Sequence, residues 1–139
     1  MIALVLTAGV AQLVLAAGSL AIPRVLEWRT DVARLRPLTR QVFWTYAGYI
    51  WTTNVAFGLL SVAGPHWLLD GTPLAAAVTG FIALYWSARM VIQFAWFDRR
   101  DMPPGRLSRG AEVVLVLLFL FLAFIYARAL IVNLTGAMA

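Results

Sequence analysis

The stretch LAAAVTGFIALYWSARMVIQFAWF, Leu74–Phe97, decides how the rest of the chain is read. It follows Pro73, runs into Asp98-Arg99-Arg100, and carries one charge inside it, Arg89. A helix rises about 1.5 Å per residue, and about 20 apolar residues cross the roughly 30 Å hydrocarbon core of a bilayer. The stretch is therefore long and apolar enough to span a membrane, with an arginine that needs explaining.

Three further segments pass the same test of length. Ile2–Ile22 ends at Pro23, Gln41–Ala63 is bounded by Gly64-Pro65, and Ala111–Val132 follows Met102-Pro103-Pro104-Gly105. Proline and glycine at each boundary mark helix ends. The expected fold is an all-α integral membrane protein: one domain over residues 1–139, built as a bundle of four transmembrane helices. Ser19-Leu20-Ala21 loosely resembles a signal-peptide cleavage site. However, no basic region precedes the apolar run, so the first segment is read as a retained helix.

Composition agrees. Of the 139 residues, 63% are hydrophobic and 12% charged, against about 25% charged in soluble domains. Every basic residue is arginine, and there is no cysteine. Disulfides, thiolate metal sites and cysteine nucleophiles are thereby excluded.

The net charge of +5 would suggest nucleic acid in a soluble protein, but here the arginines concentrate in two short loops. Arg24, Arg29, Arg34, Arg36 and Arg40 follow the first span, and Arg99, Arg100, Arg106 and Arg109 follow the third. The loop Gly64–Pro73 holds His66 and Asp70 but no arginine. Positive loops stay in the cytoplasm, so both termini are expected outside and the nine arginines against anionic headgroups. Trp44 and Trp96 fall at the expected inner interface and Trp67 at the outer one. Val25, Trp28, Val32 and Leu35 recur at helical spacing, which predicts an interfacial helix over 24–36. A bacterial inner membrane is the expected location, and no nucleic-acid partner is expected.

Arg89 lies near the middle of its span, where a charge costs roughly 2.5–3.5 kcal/mol on insertion scales. The sequence offers no carboxylate at that depth. Neutral polar candidates do exist: Gln12, Thr45, Tyr46, Tyr49, Thr52 and Gln93. Tyr85 and Trp86 share its helical face and offer cation–π contact. Trp51 and Trp86 sit away from the interfacial belts, and each indole N–H there needs an acceptor. One reading makes Arg89 glue between helices. The other makes Arg89, Gln93, Tyr85, Trp86, Tyr49, Trp51, Gln12 and Asn54 a site for a lipid, a quinone or another hydrophobic anion. Thr79, Ala83 and Ser87 form a small-residue stripe suited to close helix approach. The last span reads as apolar on every face, and Asn133-Leu134-Thr135 as a glycosylation triplet on the outer side.

One histidine, His66, rules out bis-histidine haem ligation within the chain. The residues suggest no metal site and no cofactor. The layout of four helices with a basic inner loop is similar to that of microsomal glutathione transferases. That resemblance would imply a small membrane transferase, but their Arg-Ala-His-x-Asn signature is absent where this chain reads RQVFWTYAGYIW, Arg40–Trp51. The leading expectation is a non-catalytic accessory subunit of a membrane complex or a self-assembling homo-oligomer. A carrier of a hydrophobic ligand comes next and the transferase third.

Overall fold

The computed structural model describes residues 1–95 and 105–136, and this region is helical almost throughout, with no strand among the described residues. Six helices follow in order: α1 (Ile2–Ser19), α2 (Ile22–Val25), α3 (Trp28–Ala33), α4 (Pro37–Ala63), α5 (Pro73–Ala95) and α6 (Arg106–Thr135). Trp96, Arg99 and Arg100, expected at the inner interface, lie outside the described residues.

Local chemistry sets the boundaries. Arg36 precedes Pro37 and is held extended at ψ 149°, as a residue before proline must be, and Pro37 then opens α4 where its missing N–H is harmless. Thr72 precedes Pro73, and its Oγ1 accepts the Ala75 N–H at 3.1 Å, an N-cap for α5. Gly136, at φ 72°, closes α6 with its N–H on the Val132 carbonyl.

The loop expected as one interfacial helix over 24–36 is two short helices instead. The break falls at Glu27, a non-glycine residue at φ 55°. Trp28 packs edge-on against Phe43 at 5.1 Å and lies 6.3 Å from Trp44, which pins α3 to the first turns of α4. Val32 is buried there, while Val25 is exposed.

α1, α5 and α6 are long and apolar enough to cross a membrane. α4 is as long but carries more hydroxyls and amides. α5 packs along α6, α1 along α4, and α1 also meets α6. The α1–α4 crossing depends on glycine. A Cβ at Gly9 would come within 2.8 Å of Ser61 Cβ, and one at Gly58 within 2.8 Å of the Leu13 side chain. Close backbone approach through small residues is the usual means of joining helices where hydrocarbon supplies no hydrophobic drive. The apolar core gathers Val5 and Ala8 of α1, Ile82 and Trp86 of α5, and Phe119, Leu122, Ile125 and Ala129 of α6.

Candidate functional site: a polar cluster shared by four helices

Each of the four long helices contributes one fully or almost fully buried polar side chain to a common point. These are Gln12 of α1, Ser61 of α4, Trp86 of α5 and Tyr126 of α6, at most 2% exposed. The hydrogen bonds form a directed chain. Trp86 Nε1–H donates to Gln12 Oε1 at 3.1 Å, and Gln12 Nε2–H donates to the Tyr126 hydroxyl. The Tyr126 hydroxyl meets Ser61 Oγ, and Ser61 donates to the Phe57 carbonyl at 2.9 Å. Since the serine proton goes to Phe57, Tyr126 must be the donor of its pair. Every proton then has an acceptor, as buried polar groups in a low-dielectric interior require.

A second buried cluster fastens the loop end of the bundle. Asn133 of α6, 6% exposed, donates to the Leu68 carbonyl at 2.7 Å and to Thr79 Oγ1 at 3.3 Å, and accepts from the Gly71 N–H at 3.0 Å. The triplet Asn133-Leu134-Thr135 therefore presents no accessible amide for glycosylation. α6 is not apolar on every face either. Tyr126 and Asn133 are two turns apart on its buried side, and Phe124 and Ile131 lie on the outer one. Asn133 is legible as polar in the sequence, but Tyr126, inside a Phe-Ile-Tyr-Ala run, reads as aromatic bulk.

The residues grouped around Arg89 separate into pairs. Tyr85 donates to Asn54 Oδ1 at 2.6 Å, linking α5 to α4. Trp51 donates to the Ala16 carbonyl of α1 at 2.9 Å. Gln12 and Trp86 belong to the four-helix chain. Tyr49 is 67% exposed and stands apart. Arg89 is half-buried, donates to Gln93 Oε1 at 3.2 Å and lies 5.0 Å over the ring of Phe119. Phe119 in turn stacks on Trp86 at 5.6 Å. Thus the indoles of Trp51 and Trp86 each find an acceptor on α1, and a ring from α6 lies beneath the guanidinium. Thr45 and Thr52, expected as partners of Arg89, donate to the carbonyls of Gln41 and Gly48 on their own helix. Of the small stripe, Thr79 and Ala83 are buried while Ser87 is exposed.

Outside the spans, Asp70 accepts both the N–H and the hydroxyl of Thr72 at 3.0 and 2.7 Å. The bond from the Thr72 hydroxyl is the main reason that its carboxyl titrates below the usual value. Among the described residues no group of His, Asp and Glu is placed to hold a metal ion.

Comparison with protein-family models, with curated proteins and with solved structures finds no match to this chain. The functional reading therefore rests on its own geometry.

Proposed function

We propose that the chain is a non-catalytic integral membrane protein that works by lateral assembly, as an accessory subunit of a membrane complex or with copies of itself. α4 would be its docking helix. The observation that carries this is the mismatch between the polarity of α4 and its burial. α4 is the most polar of the four long helices, yet among its residues only Gly58 and Ser61 are buried. Tyr46 and Tyr49 are 62% and 67% exposed. A phenolic hydroxyl facing hydrocarbon lacks an acceptor, and a neighbouring protein helix is the usual source of one.

In this reading all four long helices span a bacterial inner membrane with the termini outside. The supports are the arginines of the α1–α4 connection, exposed in α2, α3 and the turns beside them, and their absence from the 64–73 loop. Arg24, Arg29, Arg34, Arg36, Arg40, Arg106 and Arg109 would then face anionic headgroups. The assembly reading outranks the carrier reading because Gln12, Trp86, Tyr85 and Asn54 already satisfy one another. The deciding experiment is native mass spectrometry of the protein released from nanodiscs, wild type beside Tyr49→Leu and Arg89→Gln. A fixed oligomer or a co-purifying chain that Tyr49→Leu loses is the expected result. Monomer in all three samples, with a small-molecule mass missing only from Arg89→Gln, would replace this reading with the carrier.

A further inference from the structure

Between the end of α4 and the start of α5 lies a cleft of about 410 Å³, within the range of about 300–1,000 Å³ typical of small-molecule sites. Leu60, Leu68, Ala75 and Val78 line it and are buried or half-buried, while Trp67, Asp70 and Thr72 line it and are exposed, so they form its mouth. The interior is aliphatic, and the mouth holds one aromatic face and one carboxylate.

Both mouth groups are fixed in place. Gly64 makes room for the Trp67 ring, because a Cβ there would come within 2.0 Å of it. Asp70 is fixed by two bonds from Thr72, and both fall on Oδ1, which leaves Oδ2 without a bond from Thr72. None of the lining residues is basic, and the loop 64–73 contains neither arginine nor lysine.

We infer that this cleft binds an amphipathic cation, an alkyl chain bearing an ammonium group, with the chain among Leu60, Leu68, Ala75 and Val78 and the ammonium between Trp67 and Asp70. The aliphatic wall selects the chain by burial. The indole face and the carboxylate select the positive head. A zwitterionic or anionic phospholipid is disfavoured, because its phosphate would stand beside the Asp70 carboxylate with no arginine or lysine in the lining or in the 64–73 loop to meet it.

The test uses the full chain in uncharged maltoside micelles, titrated with decyltrimethylammonium and, separately, with decyl sulfate. Binding is read by tryptophan fluorescence and by native mass spectrometry. The wild type should bind one ammonium saturably and no sulfate. Asp70→Asn keeps an oxygen to accept from Thr72, so the turn survives while the charge goes. Asp70→Asn and Trp67→Leu should each weaken binding by about two- to fivefold. Equal affinity for decyl sulfate overturns the assignment without any variant. Unchanged affinity in Asp70→Asn overturns it as well, as does a bound phospholipid that the ammonium fails to displace.

Discussion

The directed chain through Gln12, Tyr126 and Ser61 makes a quantitative prediction. Ser61→Ala removes the acceptor of the Tyr126 hydroxyl, and Gln12 Oε1 is already taken by Trp86. Leaving a buried donor unsatisfied costs about 1–3 kcal/mol in proteins generally. Interhelical hydrogen bonds in membranes, however, average about 0.6 and reach about 1.7 kcal/mol. The membrane scale decides the matter, since the separated helices also find partners, and about 1 kcal/mol is expected.

Tyr126→Phe should cost about 1–1.5 kcal/mol on the same scale. Gln12 Nε2 retains a fallback on the Ala8 carbonyl at 3.4 Å, and Ser61 keeps its bond to Phe57. Once the phenol is gone, the serine oxygen has nothing left to lose across the interface. The double variant should therefore be only slightly worse than Tyr126→Phe alone, a coupling of just under about 1 kcal/mol, the cost of Ser61→Ala by itself. The assay is reversible unfolding in mixed micelles with increasing dodecyl sulfate, followed by tryptophan emission, to which Trp86 contributes from inside the cluster. Single-variant costs that add to within about 0.3–0.5 kcal/mol would show that the hydroxyls are not coupled and would refute the chain as drawn.

Other variants probe the remaining supports. Gln12→Leu strands the Trp86 indole N–H in the core and should destabilise more than Tyr126→Phe in the same unfolding assay. Gly9→Ala drives a methyl against Ser61, Val62 and the Gly58 carbonyl and should cost about 1–3 kcal/mol. Gly48→Ala meets nothing within 4 Å and should stabilise α4 by up to about 1 kcal/mol. Asp70 has a lowered folded-state pKa, caused by the Thr72 hydroxyl. Its contribution to capping α5 is fully present above the unfolded value near 3.8 and is lost as pH falls through the folded one. Thermal melts of the wild type below about pH 4 should therefore lose a component that Asp70→Asn lacks; identical pH profiles would remove Asp70 from the cap.

The apolar helices are legible in the sequence because length and composition alone carry that signal in α1, α5 and α6. The need of Trp51 and Trp86 for acceptors is legible too, since an indole N–H inside an apolar run has few alternatives, and Gln12 stands out as polar in an apolar run. What stays hidden is which faces meet. Ser61 reaches the cluster because Gly9 and Gly58 bring α1 and α4 close together, and Tyr126 because α6 also packs on α1; no single-helix pattern contains those crossings. The threonines mislead for a local reason. Thr45, Thr52 and Thr53 donate to the carbonyls four residues back, so residues that look like interhelical partners are satisfied within their own helix.

If α4 docks on a partner as proposed, that self-satisfaction narrows what it asks of one. With Thr45, Thr52 and Thr53 spoken for and Thr39 in the first turn beside the loop, the exposed hydroxyls farther along α4 still seeking an acceptor are those of Tyr46 and Tyr49, and depth separates the two. α4 has 27 residues, about 40 Å of helix, so if α4 spans the membrane as proposed, a centred core of roughly 30 Å begins about 5 Å from Pro37. Tyr46 then lies about 8 Å inside the core and can tip its hydroxyl toward the headgroups. Tyr49 lies about 13 Å inside, too deep for that. Tyr49→Phe should therefore weaken lateral assembly in nanodiscs, while Tyr46→Phe leaves it nearly unchanged. On the membrane scale the loss is about 0.6–1.7 kcal/mol per interface, roughly three- to twentyfold in the association constant. If the two variants assemble equally well, the Tyr49 hydroxyl has no partner across the interface, and α4 does not dock through it.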